Sequence, residues 1–426
     1  MRTLILILIA KLLSHGVTPV VSLLTLPSVN NLYTADREDS LRSELFKSYQ
    51  KNSRPVPLVD VRCNMKLLSI KDLDTREQTM SSVAYFTFIW NDTRLDWSGN
   101  SMYSDIESIY STETAVFTPP IVVENSVMNL GVISDTTLPI KIVQTGETTW
   151  SPGDIYVTSC DIDTTYYPFD EQTCVITITT RGYTANQITL SFDQVPIIRS
   201  AYQDNGEWAF VKSSTSTSLS YRGNEVYSQL NFNFTLKRRT TFHLLNTILP
   251  MFLLASMVCF VFKLPVDSGD KLGYSLTVLL AIAVYLTLVA DNIPTTSTYT
   301  SYLSVYLNVM LGIAVASALL TIFVINIHFT PEEEEISEFV QSLAKFGSQL
   351  VCWKHPCCRT TDKSTVDVLP YTDKIDLESV AANNNYEFTW PEIAKILDAF
   401  FFRLYIVLMV IMTTAFAVVM AMPSWN

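Results

Sequence analysis

The residues with the clearest chemical potential lie along one apolar stretch. Asp270 and Asp291 bracket a run of about twenty largely aliphatic residues, interrupted by small and hydroxylated side chains. On a helix, Gly273, Thr277, Leu280, Val284 and Thr287 or Leu288 share one stripe, spaced by three or four residues. That stripe is weakly polar near Asp270 and apolar midway. Taken alone, such a stripe suits an ordinary bundle helix. Other chemistries find little support. His15, His243, His328 and His355 do not cluster in sequence, and there is no Gly-x-Ser-x-Gly, no His-Glu-x-x-His and no Cys/His metal spacing. The chain therefore does not read as an enzyme, and nothing implies a metal or a cofactor. A net charge of −12 argues against nucleic-acid binding and is compatible with attracting cations.

The elements that must position these residues follow from composition. Hydrophobic residues make up 48% of the chain and charged ones only 16%, an unusual balance for a soluble protein. Met1-Arg2 followed by Leu4 to Ala10 reads as a secretory signal peptide, too short to span a bilayer, with cleavage between His15 and Leu26 and residues 1–22 assigned to it. An oxidising compartment follows, which permits disulfides. Asn91-Asp92-Thr93 and Asn233-Phe234-Thr235 are glycosylation sequons on the same side. Ala35 to Tyr49 carries a helical pattern, with Leu41, Leu45, Phe46 and Tyr49 on one side. From Val56 to Arg239 the texture becomes short runs rich in Val, Ile, Thr, Tyr and Phe, broken by Gly, Pro, Asn and Asp. Gln229 to Leu236 alternates strictly and so has one buried face. Eight to ten such strands predict an extracellular all-β sandwich, immunoglobulin-like, over residues 23–239.

Four apolar spans come next: Phe242–Leu264, Leu272–Val289, Tyr302–Ile327 and Ile396–Met422, each near or above the length that crosses a bilayer as a helix. They predict a four-helix transmembrane bundle, with helices one to three in 240–329 and the fourth in 392–426. Residues 330–391 form an intracellular loop. Within it Ile336, Phe339, Val340, Leu343, Phe346 and Leu350 recur at helical spacing, as in a helix lying along the inner membrane surface. Lys237-Arg238-Arg239 precede the first span on the outer side, against the positive-inside tendency, but the signal peptide and the sandwich outweigh them. Cys63 and Cys259 read as small core residues. Cys352, Cys357 and Cys358 fall on the cytoplasmic side, as free thiols or, for the adjacent pair, palmitoylation sites.

Cys160 and Cys174 enclose thirteen residues that include Tyr167-Pro168-Phe169-Asp170, upstream of four hydrophobic spans. This arrangement resembles the signature of Cys-loop receptors, the pentameric ligand-gated ion channels, and in particular their nicotinic-like, cation-selective branch. The resemblance extends to Trp90-Asn-Asp-Thr-Arg-Leu-Asp-Trp97, to Gly206-Glu207-Trp208, to Arg239 before the first span and Pro250 within it, and to Asp267-Ser268-Gly269 leading into the second. It covers nearly the whole mature chain. It implies a disulfide between Cys160 and Cys174, which would contribute about 3 kcal/mol by loop closure. It also implies a plasma-membrane receptor assembled as a homopentamer or heteropentamer, in contact with membrane lipid and opened by a small-molecule agonist at subunit interfaces.

In a five-fold ring, Leu280 and Val284 would form constrictions that exclude ions by dewetting, and Asp270 and Asp291 would form carboxylate rings that concentrate cations. Anion-selective members of the family typically carry a Pro-Ala insertion before a basic residue at the inner end. Here Gly269-Asp270-Lys271 has none, so the resemblance implies a cation channel for sodium and potassium, with calcium left open. In the family the lysine equivalent to Lys271 points away from the lumen.

For the agonist site the resemblance maps Tyr85, five residues before Trp90, and Trp150, ten before Cys160, to the complementary face. Tyr221 and Tyr227 bracket a hairpin that closes over the site. Aromatic faces there would hold an ammonium by cation–π attraction. Two positions depart from acetylcholine-binding members: Arg181 stands where they place tryptophan, and Phe117-Thr-Pro-Pro-Ile-Val-Val-Glu124 lacks their tyrosine. The hairpin also lacks their adjacent cysteine pair. An arginine there could pair with a ligand carboxylate, or with Glu124 or Asp170. The agonist is thus left open, as is a structural subunit that binds none. Coupling between domains would run through Phe169 and Asp170 to the loop at Pro294, with Arg239 the partner of an acidic residue in that layer.

Overall fold

The computed structural model describes residues 34–291, 300–331, 334, 336–351 and 389–421. The expected signal segment (1–22), Pro294 with its loop, and Cys352, Cys357 and Cys358 lie outside the described residues.

The chain opens with α1 (Ala35–Phe46), whose Leu41 is buried against the domain that follows. Eleven strands come next, one more than the upper end of the sequence reading. They are β1 (Val59–Asp74), β2 (Thr79–Asn91), β3 (Ser108–Ser111), β4 (Ile121–Val123), β5 (Ile140–Val143), β6 (Glu147–Trp150), β7 (Gly153–Ser159), β8 (Glu171–Thr180), β9 (Ile188–Ile198), β10 (Trp208–Arg222) and β11 (Glu225–Arg238). Seven make one sheet in the order β3-β5-β6-β2-β1-β9, with β7 also pairing β2, and four make the other in the order β10-β11-β8-β4.

Period-2 alternation decides which side chains meet between the sheets. Along β2, Met80, Ala84, Phe86, Phe88 and Trp90 point inward, and along β11, Leu230, Phe232, Phe234 and Leu236 do. Phe86 and Phe232 meet edge to face across the gap, with ring centroids 5.5 Å apart. Cys63 is a buried free thiol in this core, as its apolar neighbours predict.

Among the described residues, four helices are long and apolar enough to cross a membrane: α2 (Thr241–Lys263), α3 (Lys271–Ala290), α4 (Tyr302–His328) and α6 (Trp390–Ala421). Three match the sequence reading within a residue or two. The fourth begins six residues earlier than expected. α2 contains a π-helical stretch, Leu244–Ile248, just before Pro250. A proline cannot donate the ladder hydrogen bond there, and such local unwinding is a usual accommodation. Between α4 and α6 lies α5 (Glu338–Val351). Its apolar residues divide: Val340 and Ala344 pack into the bundle, while Phe339 and Phe346 are exposed. At Gly347 the two helices approach so closely that an added Cβ would lie 3.3 Å from Ile396 of α6.

Candidate functional site

Cys160 and Cys174 are joined in a disulfide, their Cα atoms 5.1 Å apart, and the loop between them reaches the helical domain. The backbone N–H of Tyr302, at the start of α4, donates to the Thr165 carbonyl (3.1 Å). Tyr167 Oη lies 3.0 Å from His243 Nδ1 in α2, and Phe169 packs on the helical core. Burial holds the Tyr167 phenol neutral and pushes its pKa up to about 12, against the opposing pull of the nearby Arg238 guanidinium.

The centre of this layer is Arg238, only 5% exposed. Its Nε donates to Asp170 Oδ1 (2.8 Å), its Nη2 to Asp170 Oδ2 (3.2 Å) and its Nη1 to Glu207 Oε1 (2.8 Å). Its guanidinium lies over Trp208 (4.2 Å) and Tyr167 (5.0 Å). Gln172 Nε2 donates to the second carboxylate oxygen of Asp170 (2.6 Å). The arginine paired with the acidic residues of this layer, expected at position 239, thus stands at 238. Arg239 is half-exposed and comes no closer than 4.0 Å to Asp204. The reason is register: Phe232, Phe234 and Leu236 point inward, so the next inward position is 238.

The expected ligand residues separate into three places. At the β10–β11 tip, a two-residue turn puts Gly223 at φ +62° and pairs Arg222 with Glu225. Arg222 forms an ion pair with Glu124, and its guanidinium sits 4.7 Å over the Tyr227 ring. Tyr227 donates its hydroxyl to Glu225 (2.5 Å), while Tyr221 is 73% exposed beside it. Glu124 therefore pairs with Arg222, not Arg181. The Arg181 side chain donates to the Leu130 carbonyl, and Asp170 is engaged by Arg238. Tyr85 lies in the other sheet, half-exposed, its ring flat across Gly153, where an added Cβ would come within 2.3 Å of it. Trp150 is a correction. It is fully buried in the sandwich core, its ring 5.9 Å from that of Phe88 and its backbone paired with it, because inward positions on β6 fall at 148 and 150. Asn91 is exposed at the end of β2. Asn233 is half-buried on β11, and Thr235 of its sequon is buried against Thr173.

On α3 the faces divide cleanly. Lys271, Ser275, Val278, Ile282 and Val289 are buried, whereas Asp270, Gly273, Thr277, Leu280, Val284, Thr287, Leu288 and Asp291 are exposed. Thr277 and Thr287 turn their hydroxyls onto the carbonyls of Gly273 (2.8 Å) and Val284 (2.7 Å). Lys271 Nζ donates to Asp398 Oδ1 of α6 (2.5 Å), a pairing with no counterpart in the sequence reading. The signal for it was present. Asp398 sits on the stripe of Ile393, Ala394, Leu397 and Phe401, and a carboxylate on an apolar stripe calls for a buried partner.

A β-sandwich with a disulfide-closed loop seated on four spanning helices defines the architecture of a ligand-gated channel subunit. Two family models match: the neurotransmitter-gated ion-channel ligand binding domain over residues 38–240 and the neurotransmitter-gated ion-channel transmembrane region over 247–379. The chain belongs to this family, whose members are not enzymes, and it is nicotinic-like. It is 29% identical over 339 residues to acetylcholine receptor subunit beta of Xenopus laevis, covering 75% of this chain and 68% of that one. It is 30% identical over 300 residues to human neuronal acetylcholine receptor subunit alpha-2, covering 69% and 56%. With acetylcholine receptor subunit beta-type unc-29 of Caenorhabditis elegans it shares 30% over 337 residues, 77% of this chain and 66% of that one. The matched region thus spans between about half and two thirds of these relatives' lengths. Family membership and the four helices make it a membrane-spanning protein, consistent with the plasma membrane.

Proposed function

We propose that the chain is one subunit of a pentameric, cation-selective channel opened by an extracellular agonist. The observation that carries this reading is the divided face of α3. Every residue of the stripe from Gly273 to Leu288 is left exposed by the chain's own helices, while the opposite face is packed. Five copies turning that stripe inward give a path narrowed by Leu280 and Val284 and bounded by carboxylates at positions 270 and 291. Water leaves a narrow aliphatic ring readily, so the closed state excludes ions without a physical plug. The carboxylate rings hold cations at each mouth and repel anions.

Gating follows from the same frame. Movement of the β10–β11 hairpin is carried along β11 to Arg238, and from the Asp170 layer into α2 and α4. An agonist favours the open state only by its differential affinity for that state. A second reading, an assembling subunit that binds no agonist itself, draws on one observation: the Arg222 guanidinium already lies over Tyr227 and pairs with Glu124, where a ligand cation would sit.

The test avoids the unknown agonist. Leu280→Ser wets the narrow ring, so the chain expressed alone in oocytes should carry standing current whose reversal potential follows external sodium. Current that follows chloride would overturn cation selectivity. Absence of current with the protein at the surface would favour the assembling-subunit reading.

A further inference from the structure

Lys271 is the first residue of α3, next to Asp270, yet it faces away from it. Its side chain is 1% exposed and its ammonium is held by Asp398, 127 residues away on α6. The neighbouring imidazole, His328 at the end of α4, has its Nε2 2.9 Å from Asp267 Oδ1. A buried ammonium is tolerated only with its counter-charge in place, because removing the partner leaves the full desolvation penalty. Lysine carries its charge on a flexible four-carbon stem and relieves that penalty by reaching for the nearest water. The residue before Lys271, Asp270, is exposed at the inner end of the stripe.

We propose that Asp398 is a positioning residue for permeation: through Lys271 it keeps a positive charge out of the inner mouth, so that the Asp270 carboxylate acts there uncompensated. This rests on the cation-pore reading. In an assembly, five freed ammoniums would offset five Asp270 carboxylates and cancel the local enrichment of cations. The fourth helix contributes no residue to the exposed stripe, yet it would set the electrostatics at one end of it.

The experiment uses the full chain in the Leu280→Ser background, recorded from single channels without agonist. Asp398→Asn should lower inward sodium conductance about threefold or more, the scale on which mouth charges act on cation supply. Adding Lys271→Gln to Asp398→Asn should restore it, a recovery that a merely structural role for Asp398 would not produce. Unchanged conductance in Asp398→Asn, or no recovery in the double variant, overturns the proposal. If the Leu280→Ser current itself follows chloride, the cation reading has failed instead, and the two failures are distinct. Where Asp398→Asn does not reach the surface, the exchanged pair Lys271→Asp with Asp398→Lys provides the test. The proposal expects parental conductance, whereas a residue 271 that faced the lumen would change conductance with its sign.

A second readout needs no current. In the purified protein, an amine-acylating reagent should leave Lys271 unmodified in the parent and modify it in Asp398→Asn, while the exposed Lys263 and Lys395 react alike in both. A Lys271 that stays protected in the variant would overturn the proposal.

Discussion

Two arginines on one hairpin have nearly the same partners and opposite circumstances. Arg238, at the membrane end of β11, is 3% exposed in its side chain, with two carboxylates and two aromatic faces around it. Arg222, at the far tip, is 37% exposed and has one carboxylate and one ring. The same chemistry does different work in the two places. Burial removes water as an alternative partner, so Arg238 fixes the joint between domains. At the tip, water competes for both charges and salt screens them, so the Arg222 pair is easily opened. The hairpin thus joins a loosely held tip to a firmly held base, as the proposed gating role requires.

The sharpest way to break the contrast is to remove each arginine in turn. Arg238→Ala strands the buried Asp170 carboxylate and should cost about 3–5 kcal/mol, seen as a large fall in the melting temperature of the purified protein and in surface expression. A fall no greater than that of an average surface substitution would show that the layer is not fixed by this pair. A smaller effect is expected from Tyr167→Phe, which removes the hydroxyl facing His243 and should cost about 1 kcal/mol. The same variant reads the pH response. The folded state favours the neutral phenol, whose pKa rises from 10.0 to about 12, so this contribution is intact below pH 10 and is lost as pH climbs towards 12. The parent should therefore lose more stability over that interval than Tyr167→Phe does. Equal losses would remove Tyr167 from the account.

At the other end, Arg222→Ala should shift stability by less than about 1 kcal/mol, since the pair is exposed. Its signature is functional. With the ring of Tyr227 uncovered, a cationic agonist should act at lower concentration, measured as a leftward dose–response. A melting temperature that falls as far as that of Arg238→Ala would erase the distinction between the two ends.

Much of this was legible in the chain. Long apolar runs separate themselves from polar sequence without reference to tertiary structure, so the four spans and the exposed stripe on α3 were readable. Alternation made the inner face of β11 readable from Leu230 to Leu236, and one further step would have pointed to Arg238 in place of Arg239. Trp150 was misplaced because an aromatic on a short strand looks the same whether it faces the core or a ligand. Only its pairing with Phe88 decides. The Lys271–Asp398 pair joins two helices distant in sequence, and no local pattern names the partner.

That separation has a consequence in time. Synthesis runs from the amino terminus, so α2, α3 and α4 are complete before α6 has been made. A nascent chain holding only those three spans carries Lys271 without its carboxylate. The ionic contact closes only when Asp398 of α6 arrives, 127 residues after the lysine. It marks the difference between a chain that has acquired α6 and one that has not.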